Sequence, residues 1–304
     1  MTISTLHRLD KITGPLALTQ ISQMKWDAGI KSMIEYPAGH TDPMFRANQE
    51  QKPLVSFSCS DLATLLGTVT LAGLAISSTP LVTYFKKAST TGNIARATTS
   101  HRKITVNLGF LHWTSLSLPH NGRGDASCVI TAAYDGTNDP FVYAGSSALS
   151  GNLTATEYFG AGPVSINGVS VPGIKSIDID SGTELIQEGS DSEVWDTFVG
   201  LQRRTPTVTI KTLENVNWAT LGLAGVALNG STGLVFYGRK FAAQGRVANA
   251  TAEHLKFIGL NGSAIPMDSD GQDSSRISDT IKIELISGSD SILPLTLSAA
   301  SAIT

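Results

Sequence analysis

Two of the six histidines, His101 and His254, have matching surroundings: each precedes a lysine by two residues and opens a strand-like segment. Histidine at such a position can serve as a general base or a metal ligand. No carboxylate or cysteine recurs beside both of them. We therefore interpret them as structural histidines, each held at a strand end by a hydrogen bond.

Acidic side chains form two further groups that chemistry could use. Asp178, Asp180 and Glu184 contain a carboxylate pair of the kind used in glycoside hydrolysis. On an alternating strand Asp178 and Asp180 share one face, and this favours an exposed acidic edge. The acidic loop 268–273 has oxygen ligands suited to calcium but lacks the distal glutamate of an EF-hand, so we predict a solvated turn there.

The remaining candidates are aromatic side chains and thiols. The tryptophans do not cluster in sequence, so a sugar platform and ordinary packing explain them equally well. They are Trp26, Trp113, Trp195 and Trp218. Cys59 and Cys128 lie in strand-like segments, and we predict reduced, buried thiols. With no nucleophile elbow, phosphate loop or Cys-x-x-Cys pair, the sequence predicts no enzyme and no catalytic, cofactor-binding or metal residues.

Composition excludes several classes of protein. The formal net charge of −3 over 304 residues does not suggest a dedicated nucleic-acid binder. The longest apolar stretch, 62–76, is too short and too polar to cross a bilayer, and residues 1–11 show no secretory signal. We expect no membrane partner. Only 15% of residues are charged, which suggests that much surface lies in contacts between subunits.

The sequence repeats itself at a displacement of 153 positions. The segment Leu-Val-Thr-Tyr-Phe-Lys-Lys from Leu81 returns as Leu-Val-Phe-Tyr-Gly-Arg-Lys from Leu234. The same displacement relates Phe45 to Phe198, Pro53 to Pro206, Gly92 to Gly245, His101 to His254 and Gly109 to Gly262. Two shorter matches drift from it: Gly14-Pro15 with Gly162-Pro163, and Gly29-Ile-Lys-Ser with Gly173-Ile-Lys-Ser. We interpret this as a tandem duplication, with domains 1–152 and 153–304 and a flexible junction at 145–151.

Each copy has the pattern of an all-β domain with one short helix. Residues 54–59, 174–180, 207–212 and 281–286 alternate apolar and polar side chains with period two. Ser60 begins a segment that places Leu62, Leu65 and Leu66 on one helical face, and residues 213–221 are its counterpart. The prediction is two tandem β-sandwich or barrel domains.

The order of these segments resembles the tail-tube (major tail) proteins of long-tailed bacteriophages. The resemblance lies in layout and in short phrases, namely Val-Pro-Gly-Ile-Lys-Ser-Ile-Asp-Ile from Val171, Pro-Thr-Val-Thr-Ile-Lys-Thr from Pro206, Trp-Ala-Thr-Leu-Gly from Trp218 and the segment from Leu234. It implies a β-domain that closes into stacked rings around a lumen for DNA, located in the virion tail. Because such rings hold six single domains and this chain has two, it also implies a homotrimer with pseudo-sixfold symmetry, in contact with other tail proteins. Alternatives are a tail-end adaptor, a baseplate hub, a capsid-decorating protein, or a glycan-binding module that uses Trp113 or Trp195.

Charge differs between the predicted copies. Residues 1–152 hold 12 Lys/Arg and 9 Asp/Glu, a net +3, whereas residues 153–304 hold 10 and 16, a net −6. In a ring of alternating copies, every contact would join a basic domain to an acidic one. Acidic residues also suit a lumen that must not grip DNA. The candidates for its lining, or for plain exposed loops, are Asp178, Asp180, Glu184, Glu188, Asp191 and Glu193.

Overall fold

The computed structural model describes residues 6–89, 92–151, 157–190, 193–213, 221–222, 224–242, 245–270 and 278–304. Nearly all of its regular structure is β-strand, which confirms the all-β prediction. One short α-helix and one 3-10 turn complete the described elements.

The first half of the chain contains twelve strands and the helix. They are β1 (Leu6–Thr13), β2 (Ile21–Asp27), β3 (Ile30–Glu35), β4 (Phe45–Gln51), β5 (Leu54–Cys59), α1 (Leu62–Thr68), β6 (Leu74–Ile76), β7 (Leu81–Ser89), β8 (Gly92–Asn93), β9 (His101–Val106), β10 (Leu108–Pro119), β11 (Asp125–Ala133) and β12 (Val142–Ser147).

The second half contains thirteen strands and the 3-10 turn at Gly230–Thr232. They are β13 (Glu157–Ile166), β14 (Val169–Val171), β15 (Ile174–Asp180), β16 (Thr183–Glu188), β17 (Phe198–Arg204), β18 (Thr207–Thr212), β19 (Val226–Leu228), β20 (Leu234–Ala242), β21 (Gly245–Arg246), β22 (His254–Gly259), β23 (Asn261–Asp270), β24 (Ser278–Ile286) and β25 (Leu295–Ser301).

These strands form three large antiparallel sheets and two hairpins. The first-half sheet has the order β1-β7-β9-β12, and the second-half sheet has the order β14-β13-β20-β22-β25. The third runs β19-β23-β24-β18-β15-β10-β11-β5-β2, with β6 on β10, and so passes through both halves. The pairs β3-β4 and β16-β17 are separate hairpins.

One connected apolar core joins the sheets. Strands β18 and β24 of the ten-stranded sheet alternate strictly, so that one face is apolar and the other polar, as a half-buried strand requires. Sheet-to-sheet contact is visible where Trp26 on β2 meets Phe85 on β7, with ring centroids 6.5 Å apart. In the second half, Gly259 on β22 lies so close to Leu285 on β24 that a methyl group there would collide with it.

The strand registers of the two halves correspond. The partner sheets match strand for strand: β1-β7-β9-β12 with β13-β20-β22-β25, and β6-β10-β11-β5-β2 with β19-β23-β24-β18-β15. Individual residue pairs recur 153 positions later. Examples are Leu54↔Thr131 with Thr207↔Glu284, Leu81↔Val106 with Leu234↔Gly259, and Leu108↔Ala133 with Asn261↔Ile286.

The same registers correct two of the shorter sequence matches. Gly29 opens the β3-β4 hairpin and corresponds to Gly182, which opens β16-β17, with φ of +57° and +54°. The match of Gly29 with Gly173 is therefore wrong. Gly14 follows β1, whereas Gly162 lies inside β13 at a bulge, so that match is wrong too.

Other expectations have mixed outcomes. The strands predicted at 54–59, 174–180 and 207–212 and the helix after Ser60 are confirmed, whereas closed barrels are absent from the sheets that the structure describes. Most of the second predicted helix, 214–220, lies outside the described residues. The predicted junction 145–151 begins inside strand β12 and includes the buried Leu149, so its first part is not a flexible linker. The boundary at 152/153 falls outside the described residues.

Candidate functional site

His101 and His254 are fully buried and make the same two hydrogen bonds. Nδ1 of each accepts from a backbone N–H at 3.0 Å, from Lys87 and Lys240 respectively. Nε2 of each lies 3.0 Å from a backbone carbonyl, of Ala95 and of Ala248. Because Nδ1 accepts, Nε2 carries the proton and donates it to the carbonyl. Both nitrogens are thus used within the fold, as expected for structural histidines.

The acidic residues do not assemble into a catalytic pair. Asp178 lies on β15 in the middle of the ten-stranded sheet and accepts hydrogen bonds from Ser117 at 2.6 Å and Ser176 at 3.1 Å. The expectation of an acidic edge is wrong, because β15 is paired on both sides. Asp180 accepts from the Gly182 amide at 2.9 Å. Glu184 binds Arg203 across the β16-β17 hairpin at 2.6 Å, and this hydrogen bond lowers its pKa.

The proposed calcium loop is not formed as a turn in its first part. Asp268 and Ser269 are exposed residues of β23, so the expected solvated turn is wrong for them. Residues 271–277 lie outside the described ranges. Within the described ranges, no cluster of three or more histidine, cysteine or acidic side chains has metal-binding geometry.

The thiols and tryptophans are mostly packed. Cys59 and Cys128 are free and buried, as predicted, and burial raises the pKa of Cys59 to about 12. Trp113 is only 3% exposed, so it has no face for a sugar ring. Trp26 packs edge-on against Phe141, with centroids 4.9 Å apart. Trp218 lies outside the described residues. Trp195 is half-buried and contacts the other half of the chain, as described below.

The most extensive set of contacts among the candidate sites is the junction between the two halves of the chain. β10 of the first half pairs antiparallel with β15 of the second over five residue pairs, from Ser115↔Asp180 to Pro119↔Ser176. Backbone hydrogen bonds continue beyond both ends: Ser181 N–H donates to the Thr114 carbonyl at 2.9 Å, and His120 N–H to the Lys175 carbonyl at 2.8 Å. The junction therefore merges the two halves into one sheet.

A second part of the junction is the loop between β16 and β17, residues 189–197. Its backbone bonds to the first half at two places, from Gln51 N–H to Val194 O at 2.8 Å and from Tyr134 N–H to Asp196 O at 2.9 Å. Trp195 donates from Nε1 to Gln51 Oε1 at 2.6 Å, and its ring lies 5.3 Å from that of Tyr134. This loop clamps the second half onto the end of β11.

A charge contact and the helix complete the junction. Lys52 Nζ lies 3.6 Å from Asp196 Oδ2 and 2.8 Å from Glu50 Oε1. The hydrogen bond to Glu50 and the charge of Asp196 raise the pKa of Lys52 against the opposing effect of its burial. On the other side α1 packs on β25, where a methyl group placed on Gly67 would lie 3.7 Å from the Ala299 Cβ. Sheet, loop and helix thus all cross between the halves.

The strands equivalent to β10 and β15 are unpaired along the corresponding edge within the described residues. In the described part of the chain, β2, the equivalent of β15, pairs only with β5. β23, the equivalent of β10, pairs from Asp268 onward only with β24. Ala133 at the junction is 1% exposed, whereas its counterpart Ile286 is 61% exposed. The chain therefore has one closed junction, and the strands equivalent to its two sides are each unpaired on the corresponding edge in the described residues.

The polar face of the ten-stranded sheet is rich in small hydroxyl side chains. One row across the strands runs Glu284, Thr207, Asp180, Ser115, Ser127 and Ser58. Of the proposed lumen acids, Asp178 and Asp180 lie on this face, while Glu184 and Glu188 lie on the β16 strand of the hairpin. Glu193 lies in the 189–197 loop, and Asp191 is outside the described residues.

One basic cleft of about 870 Å³ lies beside the junction. Its lining includes His120, Lys175, Lys211 and Arg239 and no acidic side chain. Burial, and then the nearby Arg246, lower the pKa of the Arg239 guanidinium.

Comparisons with known protein families and with curated proteins find no match to this chain. No helix in the described ranges has the length and apolar character needed to span a membrane.

The sequence did not indicate the junction. Trp195 was a candidate only for glycan binding, and Asp178 and Asp180 only for an acidic edge or a lumen. Gln51, Tyr134 and Trp195 have the counterparts Arg204, Ser287 and Asp42, so the internal repeat does not single them out. A signal was present in the Ser-Leu-Ser-Leu alternation from Ser115, which marks a half-buried strand. The alternation does not indicate which strand pairs with β10.

Proposed function

We propose that this chain is a duplicated structural protein whose three copies form a pseudo-hexameric ring, and that the rings stack into a bacteriophage tail tube. Its place is the virion, its partners are further copies of itself and other tail proteins, and DNA passes through the lumen without specific binding. The two halves descend from one β-domain, with a boundary near residue 152.

The observation that carries this proposal is the β10-β15 junction. It joins two halves of matching topology edge to edge in one sheet, and it leaves the equivalent edges unpaired at opposite sides of that sheet, namely β2 and the part of β23 from Asp268 onward that β19 does not cover. Head-to-tail contacts of this kind generate rings when the rotation closes. Six matching halves need three chains.

The polar face of the ten-stranded sheet is the proposed lumen lining. Its serine, threonine and carboxylate side chains carry no positive charge. The lysines on this face include Lys211 and Lys282, of which the second is paired with Glu284 at 2.9 Å, so the face has few cations that could hold DNA phosphates. The contact within the chain joins the more basic half to the more acidic half, and contacts between chains would repeat that combination around the ring.

The test is negative-stain microscopy of the purified chain together with its mass in solution by light scattering. We expect six-lobed rings with a central hole, a mass of three chains, and stacked tubes at high protein concentration. A monodisperse monomer that forms no rings at any concentration would refute the proposal. Closed rings that never stack would favour an adaptor or hub over a tube.

The glycan-binding alternative is not favoured by the packing of Trp113 and Trp195. The basic cleft at His120 is the one feature of the described residues that favours an anionic ligand. The other residues that line this cleft do not identify which anion it would bind.

A further inference from the structure

The closed junction provides a residue-level template for the contact between copies. Each residue pair at the β10-β15 junction has an equivalent pair. The residue on β10 corresponds to the residue 153 positions later, from Asp268 of β23 onward, and the residue on β15 corresponds to the residue 153 positions earlier, on β2. Ser115↔Asp180 becomes Asp268 opposite Asp27, and Leu116↔Ile179 becomes Ser269 opposite Trp26. Both counterpart strands have a free edge within the described residues, as the pairings of β2 and β23 show.

The loop contact has a template as well. The loop between β3 and β4, residues 36–44, has the same nine-residue length as the loop 189–197 that clamps the first half. Whereas loop 189–197 places Trp195 against Tyr134, loop 36–44 has no such contact in the described structure, and Tyr36 and Met44 at its ends are exposed. Ile34 and Phe45 beside them are exposed too.

Two exposed apolar residues lie at equivalent places on the second half. Ile286 ends β24 as Ala133 ends β11, and it is 61% exposed. Met267, the counterpart of Thr114, is 55% exposed and lies toward the other end of the β23-β24 pair, because Ile286 is opposite Asn261. Grouped exposed apolar side chains, such as those of the β3-β4 hairpin, mark contact surfaces on a soluble protein. The hairpin β3-β4 and the end of β24 are both apolar. They are the equivalents of the hairpin β16-β17 and the end of β11, which are in contact at the closed junction.

We propose, on the basis of the ring function above, that the second half of one copy binds the first half of the next through this register. β23 pairs antiparallel with β2 of the neighbouring copy, with Asp268 opposite Asp27. Loop 36–44 of that neighbour covers Ile286, as loop 189–197 covers the end of β11. The occupant of each free edge is therefore a second copy of this chain.

Charge and backbone geometry define the extent of the pairing. Gln23 has φ +53° and forms a bulge in β2, so regular pairing begins at Lys25. Lys25 Nζ lies 3.9 Å from Asp27 Oδ2, which supplies a cation beside the position that Asp268 would occupy. The contact therefore brings two carboxylates to one ammonium group.

The first experiment is cross-linking through a cysteine pair, D27C with D268C, in the full chain. Directly opposed residues of an antiparallel pair have Cα atoms within disulfide range. The native Cys59 and Cys128 are buried and do not compete. We expect reductant-sensitive dimers and trimers on a denaturing gel, and none from D27C alone, D268C alone, or the register-shifted pair S22C with D268C.

The second experiment tests the loop contact with I286E. A carboxylate at this position would be buried without a partner in the contact, so we expect ring formation to fall at least tenfold while the monomer remains folded by circular dichroism. The matched control is V169E, which changes an exposed apolar residue of β14 outside both surfaces.

The outcomes separate the two proposals. If the unmodified chain forms no rings, the ring function fails. If it forms rings while the D27C/D268C pair stays uncross-linked and I286E assembles normally, the ring function stands and this contact is overturned. Cross-linking by the shifted pair instead of the matched one would also overturn the register.

Discussion

At the scale of single residues, the most informative side chains are those of His101 and His254, which form hydrogen bonds to backbone groups and have no catalytic role in the fold. Each bridges a strand amide and a loop carbonyl six residues before it, so each fixes the return of the chain into the next strand. The sequence identified both positions through their common displacement and the absence of a recurring acidic partner. It did not identify the atoms they bind, because these belong to the backbone.

We predict that H101A and H254A each lower the free energy of unfolding by about 2–4 kcal/mol. Each substitution leaves a buried N–H and a buried carbonyl without partners and opens a cavity. Urea denaturation measures the loss, with the exposed His120→Ala as the control. Equal stability of H101A and the unmodified chain would contradict the structural role.

His112 predicts a pH dependence of stability. Burial lowers its pKa to about 4, and its side chain is buried on β10. An unfolded histidine takes up a proton near pH 6.5, so between pH 6.5 and 4 the unfolded chain binds more protons than the folded one. Stability contributed by neutral His112 is therefore present above pH 6.5 and is lost as the pH falls toward 4, by up to about 3 kcal/mol.

The measurement is the unfolding free energy at pH 7 and pH 4.5 for the unmodified chain and for H112Q. We expect H112Q to lose less stability on acidification, because its amide does not titrate. The exposed His40→Gln serves as the control and should behave as the unmodified chain. The same loss in H112Q as in the unmodified chain would assign the pH dependence to other groups.

At the scale of elements, the hairpins β3-β4 and β16-β17 begin with the same kind of turn but have different surroundings. Both start at a glycine in the left-handed region, and a Cβ there would lie 2.0 Å from the Lys52 carbonyl oxygen at Gly29 and 2.3 Å from the Thr205 oxygen at Gly182. Only the second hairpin has its loop packed on the other half of the chain. The 153-position displacement matched β4 with β17 through Phe45 and Phe198, but the phrase from Gly29 was paired with Gly173 and β15, because a four-residue phrase carries less information than a strand register.

We predict that G29A and G182A each destabilise the fold by at least about 2 kcal/mol, because both φ strain and a backbone collision must be relieved. Gly136→Ala is the matched control, since its φ is +87° but no atom lies within 4 Å of the added Cβ. Thermal unfolding compares the three variants. A G182A variant as stable as G136A would show that the turn relaxes without cost.

At the scale of the whole molecule, the 153-position displacement seen in the sequence agrees with the strand registers, whereas the sheet that runs through both halves could not be predicted. Alternation predicts that β10 and β15 are strands, yet strand pairing is a long-range choice that period-two patterns leave open. For the same reason the acids of β15 were expected at an edge and lie in the middle of a sheet.

For the assembled tube we predict that charge on the polar face governs the retention of DNA. Ser115 is exposed on this face, so S115K places additional cations in the proposed lumen. We expect S115K tubes to retain double-stranded DNA at low salt and release it at high salt, in a filter-retention assay. S115E is the control of equal size class and opposite charge, and equal retention by S115K and S115E would place this face away from the lumen.

In the proposed ring, the continuous sheet between the halves also changes how closure depends on protein concentration. Where six separate domains would have to meet, every second contact here is made during folding of one chain and does not depend on protein concentration. A three-chain ring then forms with a third-order instead of a sixth-order dependence on concentration. Complete rings should accordingly give way to single chains over a wider range of dilution, and fewer partly built arcs should accumulate on the way.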